Sequence, residues 1–224
     1  MDYIPSCAKE RQFLNDFDAS KYQNPAVAAD IALFALDGNA LKILLIRRAN
    51  YPFKNRWALP GGFVGINEDI QDCAHRELFE ETGILGVYLE QAFTFGRPGR
   101  DPRQRVISVN YTGIADISAL CAKAGDDAAE TEWFTFSDYT IKDDNDCVTA
   151  VYTLSGHETL RPVVSYPKGR IQQITGVGSA GLAADHAELI AYSYEYIKMR
   201  VQNGLLDLAF ADESLKKSAK TLFV

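Results

Sequence analysis

Gly62-Phe63-Val64-Gly65-Ile66-Asn67-Glu68-Asp69-Ile70-Gln71-Asp72-Cys73-Ala74-His75-Arg76-Glu77-Leu78-Phe79-Glu80-Glu81-Thr82-Gly83-Ile84 decides how this 224-residue chain is read. Asn67 is a good helix N-cap, Glu68 and Asp69 bring negative charge to the first turn, and Gly83 supplies a C-terminal stop. The spacing of Ile70, Cys73, Ala74 and Leu78 between them predicts a helix of about four turns with that stripe buried. Glu77, Glu80 and Glu81 stand at i, i+3 and i+4, so they share one face, where like charges repel by roughly 0.2–0.5 kcal/mol per pair. Clustered hard oxygen ligands are what Mg²⁺ or Mn²⁺ requires, and a bound dication would turn that repulsion into attraction. Arg76 is spaced to pair with Glu80 and to reach back toward Glu68. Pro60-Gly61-Gly62 lets bare backbone approach a phosphate or offer a carbonyl to a metal. A Glu-rich helix alone also reads as a solvated face. The offsets of Gly62, Glu68, Arg76 and Gly83 favour a site.

Together these positions resemble the Nudix box, and every fixed position of the box is filled. By average residue usage, a chance match in a chain of this length has odds on the order of 10⁻⁷ or lower. The resemblance implies a hydrolase of nucleoside diphosphates linked to another moiety. It also implies a metal held by Glu77, Glu80 and Glu81 with a carbonyl from the Gly61–Gly62 region, Gly62 being the candidate, and a catalytic set completed by Arg76 and Glu68. Metal ions would polarise the bridging phosphates and lower the pKa of the attacking water. Which carboxylate acts as general base differs between subfamilies and stays open.

Working outward, a hydrophobic content of 47% and a charged content of 24% fit a soluble globular protein of one domain with additions, or two small ones. No apolar run approaches the roughly 18 residues of a membrane span, and Met1-Asp2-Tyr3 lacks the basic, apolar start of a signal peptide. A cytoplasmic protein is expected. The net charge of −7 argues against a dominant nucleic-acid surface. Cys7, Cys73, Cys121 and Cys147 are far apart, without a CxxC, so reduced thiols are expected. His75, His157 and His186 show no metal-ligand spacing.

Residues 1–24 read as a polar, partly helical extension, with Phe13, Leu14 and Phe17 as anchors. Strands are expected at Val27–Leu36, Leu41–Ile46, Trp57–Leu59, Val87–Phe95, Arg105–Ala115 and Glu132–Phe136, with a closing helix at Ala184–Gln202. The expected class is α/β: the Nudix fold, an α/β/α sandwich around a mixed sheet, over residues 25–203. Residues 139–181 are too long for a simple connection and contain strand-like pieces at Val148–Leu154, Leu160–Tyr166 and Arg170–Thr175, read as β-hairpins inserted before the last helix. The tail, 204–224, has room for one short amphipathic helix. Trp57 reads as core, and Phe95 and Trp133 as core or as adenine-stacking rings.

Arg97, Arg100, Arg103 and Arg105 fall within nine residues broken by Pro and Gly. Guanidinium forks match phosphate bidentately, so this loop is a candidate for substrate contacts. Arg100-Asp101-Pro102-Arg103, the following Val-Ile-Ser strand, Gly125-Asp126-Asp127-Ala128-Ala129-Glu130 and Ala184-Asp185-His186 resemble the ADP-ribose pyrophosphatase branch of the Nudix family. That branch implies hydrolysis of ADP-ribose to AMP and ribose 5-phosphate. Asp127 or Glu130 would supply a further carboxylate, and the N-terminal extension would support a homodimer. Another dinucleotide, such as NADH or a diadenosine polyphosphate, is the alternative substrate. The rival class is a Nudix-related transcription regulator that senses ADP-ribose or a sugar. An intact box, net acidity and only 38 residues after His186 favour the enzyme, with no nucleic-acid or membrane partner.

Overall fold

Strand β1, Ala26–Asp37, shows why the sheet is sandwiched. Its side chains alternate between two separate apolar clusters. Ala32, Phe34 and Leu36 join one cluster with Leu189 and Ile190, while Ala29, Ile31 and Leu33 join the other with Cys73, Ala74 and Leu78. A strand buried on both faces needs a helical layer on each side.

The computed structural model describes residues 3–120 and 128–203. Helix α1 (Ala8–Asp16) precedes β1, β2 (Ala40–Arg48), β3 (Trp57–Ala58) and β4 (Gly61–Phe63). Helix α2 (Ile70–Thr82) leads to β5 (Glu90–Phe95), β6 (Val106–Asp116), β7 (Ala128–Asp144) and β8 (Cys147–Ser155). Then come β9 (Thr159–Leu160), β10 (Val163–Pro167), β11 (Thr175–Gly178) and α3 (His186–Gln202). The strands form one sheet in the order β11-β10-β8-β7-β2-β1-β6-β5, with β3, β4 and β9 pairing onto β2, β1 and β8. β1 and β6 run parallel and the other pairings are antiparallel, so the sheet is mixed. No helix among the described residues is long and apolar enough to cross a membrane.

The α/β/α expectation holds, and the 139–181 region does form antiparallel hairpins before the last helix, which join the main sheet. β7 runs through residue 139, pairs with β8, and β8 pairs with β10. Val148, Ala150, Tyr152, Leu154 and Val164 are buried in the same cluster as α3. The segment therefore widens the main sheet beneath α3. Arg170–Thr175, expected as a strand, is a 3₁₀ turn at Ile171–Gln173 followed by β11. Helix α1 buries none of its residues, and the rings of Phe13 and Phe17 pack on each other. The expected tail helix, Cys121 and Asp127 lie outside the described residues.

Candidate active site

Helix α2 begins two residues later than its sequence signals indicate. Asp69 is the N-cap, its side chain accepting from Gln71 N, and Gly83 ends the helix in the left-handed conformation at φ 71°. Asn67 loses the cap because Glu68 is used differently: its carboxylate accepts from Gly65 N and from both ends of the Arg76 guanidinium. Arg76 Nη1 also donates to Glu77, at 2.7 Å, and to Glu80, at 2.8 Å. One guanidinium thus gathers three box carboxylates. Arg76 beside Glu68 holds that carboxyl down at about 2. Burial pushes the Glu77 carboxyl up, against the opposing pull of Arg76.

Glu77 and Glu81 line a cleft of about 320 Å³, while Glu80 is half exposed and does not line it. Glu81 is buried, and its Oε2 accepts from Gly61 N at 2.8 Å. Close approach requires glycine at position 61, and glycine at position 62 leaves room for Glu77. At Gly61, φ 156°, an added Cβ would lie 2.3 Å from Ala29 O. At Gly62 it would lie 2.3–2.5 Å from the Glu77 carboxylate. The backbone of β4 is therefore pressed against the acidic face of α2.

The arginine loop divides into four different environments. Arg100 and Arg103 line the same cleft as Glu77 and Glu81. The Arg100 side chain is buried, and its Nε and Nη2 both donate to Asp185 at 2.8 Å, with Asp30 at 3.7 Å. Arg103 is half exposed, pairs with Asp101 and lies over the Phe63 ring, 4.9 Å from its centroid. Arg97 faces a neighbouring groove and pairs with Glu188 at 2.8 Å. Arg105 donates to the backbone oxygens of Gly96 and Val106 and does not line the cleft.

Several cleft residues are not among the site candidates read from the sequence. Asp30, in the middle of an apolar strand, accepts from Ser108 Oγ. His186, the first residue of α3, is buried, and its Nδ1 accepts from Leu59 N at 2.9 Å. Burial holds its pKa below the usual histidine value, so the imidazole is neutral near pH 7 with its proton on Nε2. The Ala49–Phe53 loop completes the lining. Conversely, Phe95 is buried in the core against Phe93 and Tyr192, and Trp133 packs against the α2 cluster. Trp57 is core, as expected. Glu130 pairs with Arg47, near Glu132 and His157, and does not line the cleft.

Whether this arrangement suits a divalent cation is decided by its donors. The cleft carries the carboxylates of Asp30, Glu77, Glu81, Asp101 and Asp185 against three arginines, leaving a formal excess of two negative charges. Hard oxygen donors and bare glycine backbone meet in one concave site, which fits Mg²⁺ or Mn²⁺.

The family model of the NUDIX domain matches residues 24–152. Over 130 residues, 57% of this chain, the sequence is 41% identical to the ADPR responsive transcriptional repressor NtrR of Acinetobacter baylyi, and the match covers 52% of that protein. Over 127 residues, 55% of this chain, it is 41% identical to an ADP-ribose pyrophosphatase of Methanocaldococcus jannaschii, covering 72% of it. The chain thus spans about half the length of the repressor. A MutT/nudix family protein from Enterococcus faecalis superposes with a TM-score of 0.66 at 28% identity, over 96% of this chain and 88% of that one.

Proposed function

Because this chain belongs to the Nudix family, its NUDIX domain filling residues 24–152, we propose that it hydrolyses the diphosphate linkage of ADP-ribose to AMP and ribose 5-phosphate. The observation that carries the reading is that Glu77 and Glu81 share one cleft with Arg100 and Arg103. Acidic metal ligands and guanidinium donors on facing elements are what a pyrophosphate bridge needs.

Glu77, Glu80, Glu81 and the Gly62 carbonyl would hold Mg²⁺ or Mn²⁺. A bound dication supplies charge neutralisation at the phosphoryl oxygens and an acidified water. The chain's own residues do the positioning. Arg76 fixes Glu77 and Glu80, Glu68 fixes Arg76, and the Gly61 N–H fixes Glu81. Arg103, half exposed in the cleft wall, is the substrate-facing arginine. Arg100, held on Asp185, shapes the wall. Arg97 sits in the adjoining groove, and Arg105 ties the loop to the backbone. A panel of ADP-ribose, NADH and diadenosine polyphosphates with Mg²⁺, followed by AMP release, tests the substrate. Turnover of another dinucleotide with ADP-ribose untouched would overturn it.

The equal identity to a transcriptional repressor supports a second reading, in which the same cleft senses ADP-ribose. Sequence-dependent DNA retardation in a gel, relieved by ADP-ribose, would establish it. We also propose a homodimer joined through the exposed Phe13 and Phe17 of the N-terminal extension. Light scattering of the chain with and without residues 1–24 tests that, a monomer in both cases being the contrary result.

A further inference from the structure

Large apolar side chains exposed at a concave site need a reason. Tyr51 is 83% exposed, Phe53 36% and Phe63 37%, and all three line the cleft that holds Glu77 and Glu81. Phe63 is the last residue of β4, next to Gly62, so its backbone is held beside the acidic face of α2. Tyr51 and Phe53 belong to the turn between β2 and β3. Arg48 Nε donates to Pro52 O at 2.9 Å, and Asn55 N donates to Arg48 O at 2.9 Å. Phe53 and Asn55 both take left-handed backbone, with φ of 62° and 66°. The turn is therefore pinned in a conformation that costs strain yet leaves its rings exposed.

We infer that the nucleobase of the substrate stacks at this mouth, on Phe63 with Arg103 and against the Tyr51–Phe53 turn. The inference rests on the nucleoside diphosphate reading of the cleft. A planar base is the occupant that fits, because ring faces and a guanidinium plane adjoin a polar cleft sized for a small ligand. Arg103 already lies over the Phe63 ring, so this ring face is open to a cationic or planar group. Of the rings that the sequence offers for stacking, Phe95 is buried in the core and Trp133 is partly buried against the α2 cluster, and neither lines the cleft. A base stacked at the mouth would direct its diphosphate inward, toward Glu77 and Glu81.

The test is calorimetric binding of AMP and of ribose 5-phosphate to the full chain with Mg²⁺, comparing wild type with Phe63→Leu, Phe63→Tyr and Tyr51→Ser. Loss of a stacking ring is expected to weaken AMP between about fivefold and a hundredfold. Ribose 5-phosphate binding should not change, and Phe63→Tyr should retain wild-type affinity for AMP. For hydrolysis, KM for ADP-ribose should rise in Phe63→Leu while kcat stays within about twofold. Unchanged AMP affinity in both Phe63→Leu and Tyr51→Ser would overturn the inference, as would equal weakening of both ligands. Conversion of a dimer to a monomer with AMP affinity intact would assign the rings to a subunit interface and overturn it too. AMP binding that depends on the rings, in a protein that leaves ADP-ribose intact, would instead defeat the hydrolase reading and leave this one standing.

Discussion

Arg100 grips Asp185 through two hydrogen bonds of 2.8 Å, and each side chain is only 6% exposed. The pair ties the 96–105 loop to the start of α3. It also explains how a motif that looks made for phosphate has become part of the cleft wall. Removing one partner leaves an uncompensated buried charge, which typically costs about 3–5 kcal/mol. Arg100→Ala should therefore lower the thermal midpoint by about 10 °C. Calorimetry checks this, and the Arg100→Ala/Asp185→Ala double variant should be more stable than the sum of the single losses. A midpoint within a degree of wild type would mean that the pair is not structural.

Gly62→Ala should leave the fold intact and disable the site. The added Cβ would collide with the end of the Glu77 side chain, which can swing away, and not with packed backbone. Turnover should fall about tenfold or more while the thermal midpoint moves little. Isothermal titration with Mn²⁺ should show weakened metal binding. Unchanged Mn²⁺ affinity would remove Glu77 and Gly62 from the proposed metal site.

Glu81→Gln keeps an acceptor for the Gly61 N–H, so the β4–α2 contact should survive. Losing the carboxylate should lower kcat by about a hundredfold or more, with the far-UV circular dichroism spectrum unchanged. Wild-type turnover would exclude the residue from the chemistry.

Glu68 gives a pH signature. Arg76 holds its carboxyl at about 2 in the folded protein, below the roughly 4.3 of an unfolded chain. The stabilisation is therefore fully present above about pH 5 and is lost as pH falls toward 2. The stability gap between wild type and Glu68→Gln should be flat from about pH 5 to 7 and narrow below about pH 4. Thermal melts across that range check it, and a gap independent of pH would contradict the assignment.

How much could be read beforehand followed the range of the signals. Ile70, Cys73, Ala74 and Leu78 are neighbours on one helix face, so the buried stripe of α2 was legible from spacing. The grouping of Glu77, Glu80 and Glu81 was legible too, although only Glu77 and Glu81 enter the cleft. The true cap was not, because it depends on Arg76 drawing Glu68 out of the helix. Asp30, Asp185 and His186 reach the cleft only through strand order and the placement of α3, and no local pattern records either. The hairpins of 139–181 were legible as alternating residues, but alternation does not say which sheet the strands extend. Phe53 and Tyr51 carried no helical or strand period at all. Their role emerges only once the β2–β3 turn is seen to border the glutamates.

The acidic cleft is proposed to cleave a pyrophosphate bridge. The decisive experiment is to incubate the purified full chain with ADP-ribose and Mg²⁺ and resolve the products by chromatography. Equimolar AMP and ribose 5-phosphate, formed with Mg²⁺ and abolished by chelation, is the predicted result. Intact ADP-ribose after prolonged incubation with Mg²⁺ or Mn²⁺ would contradict it.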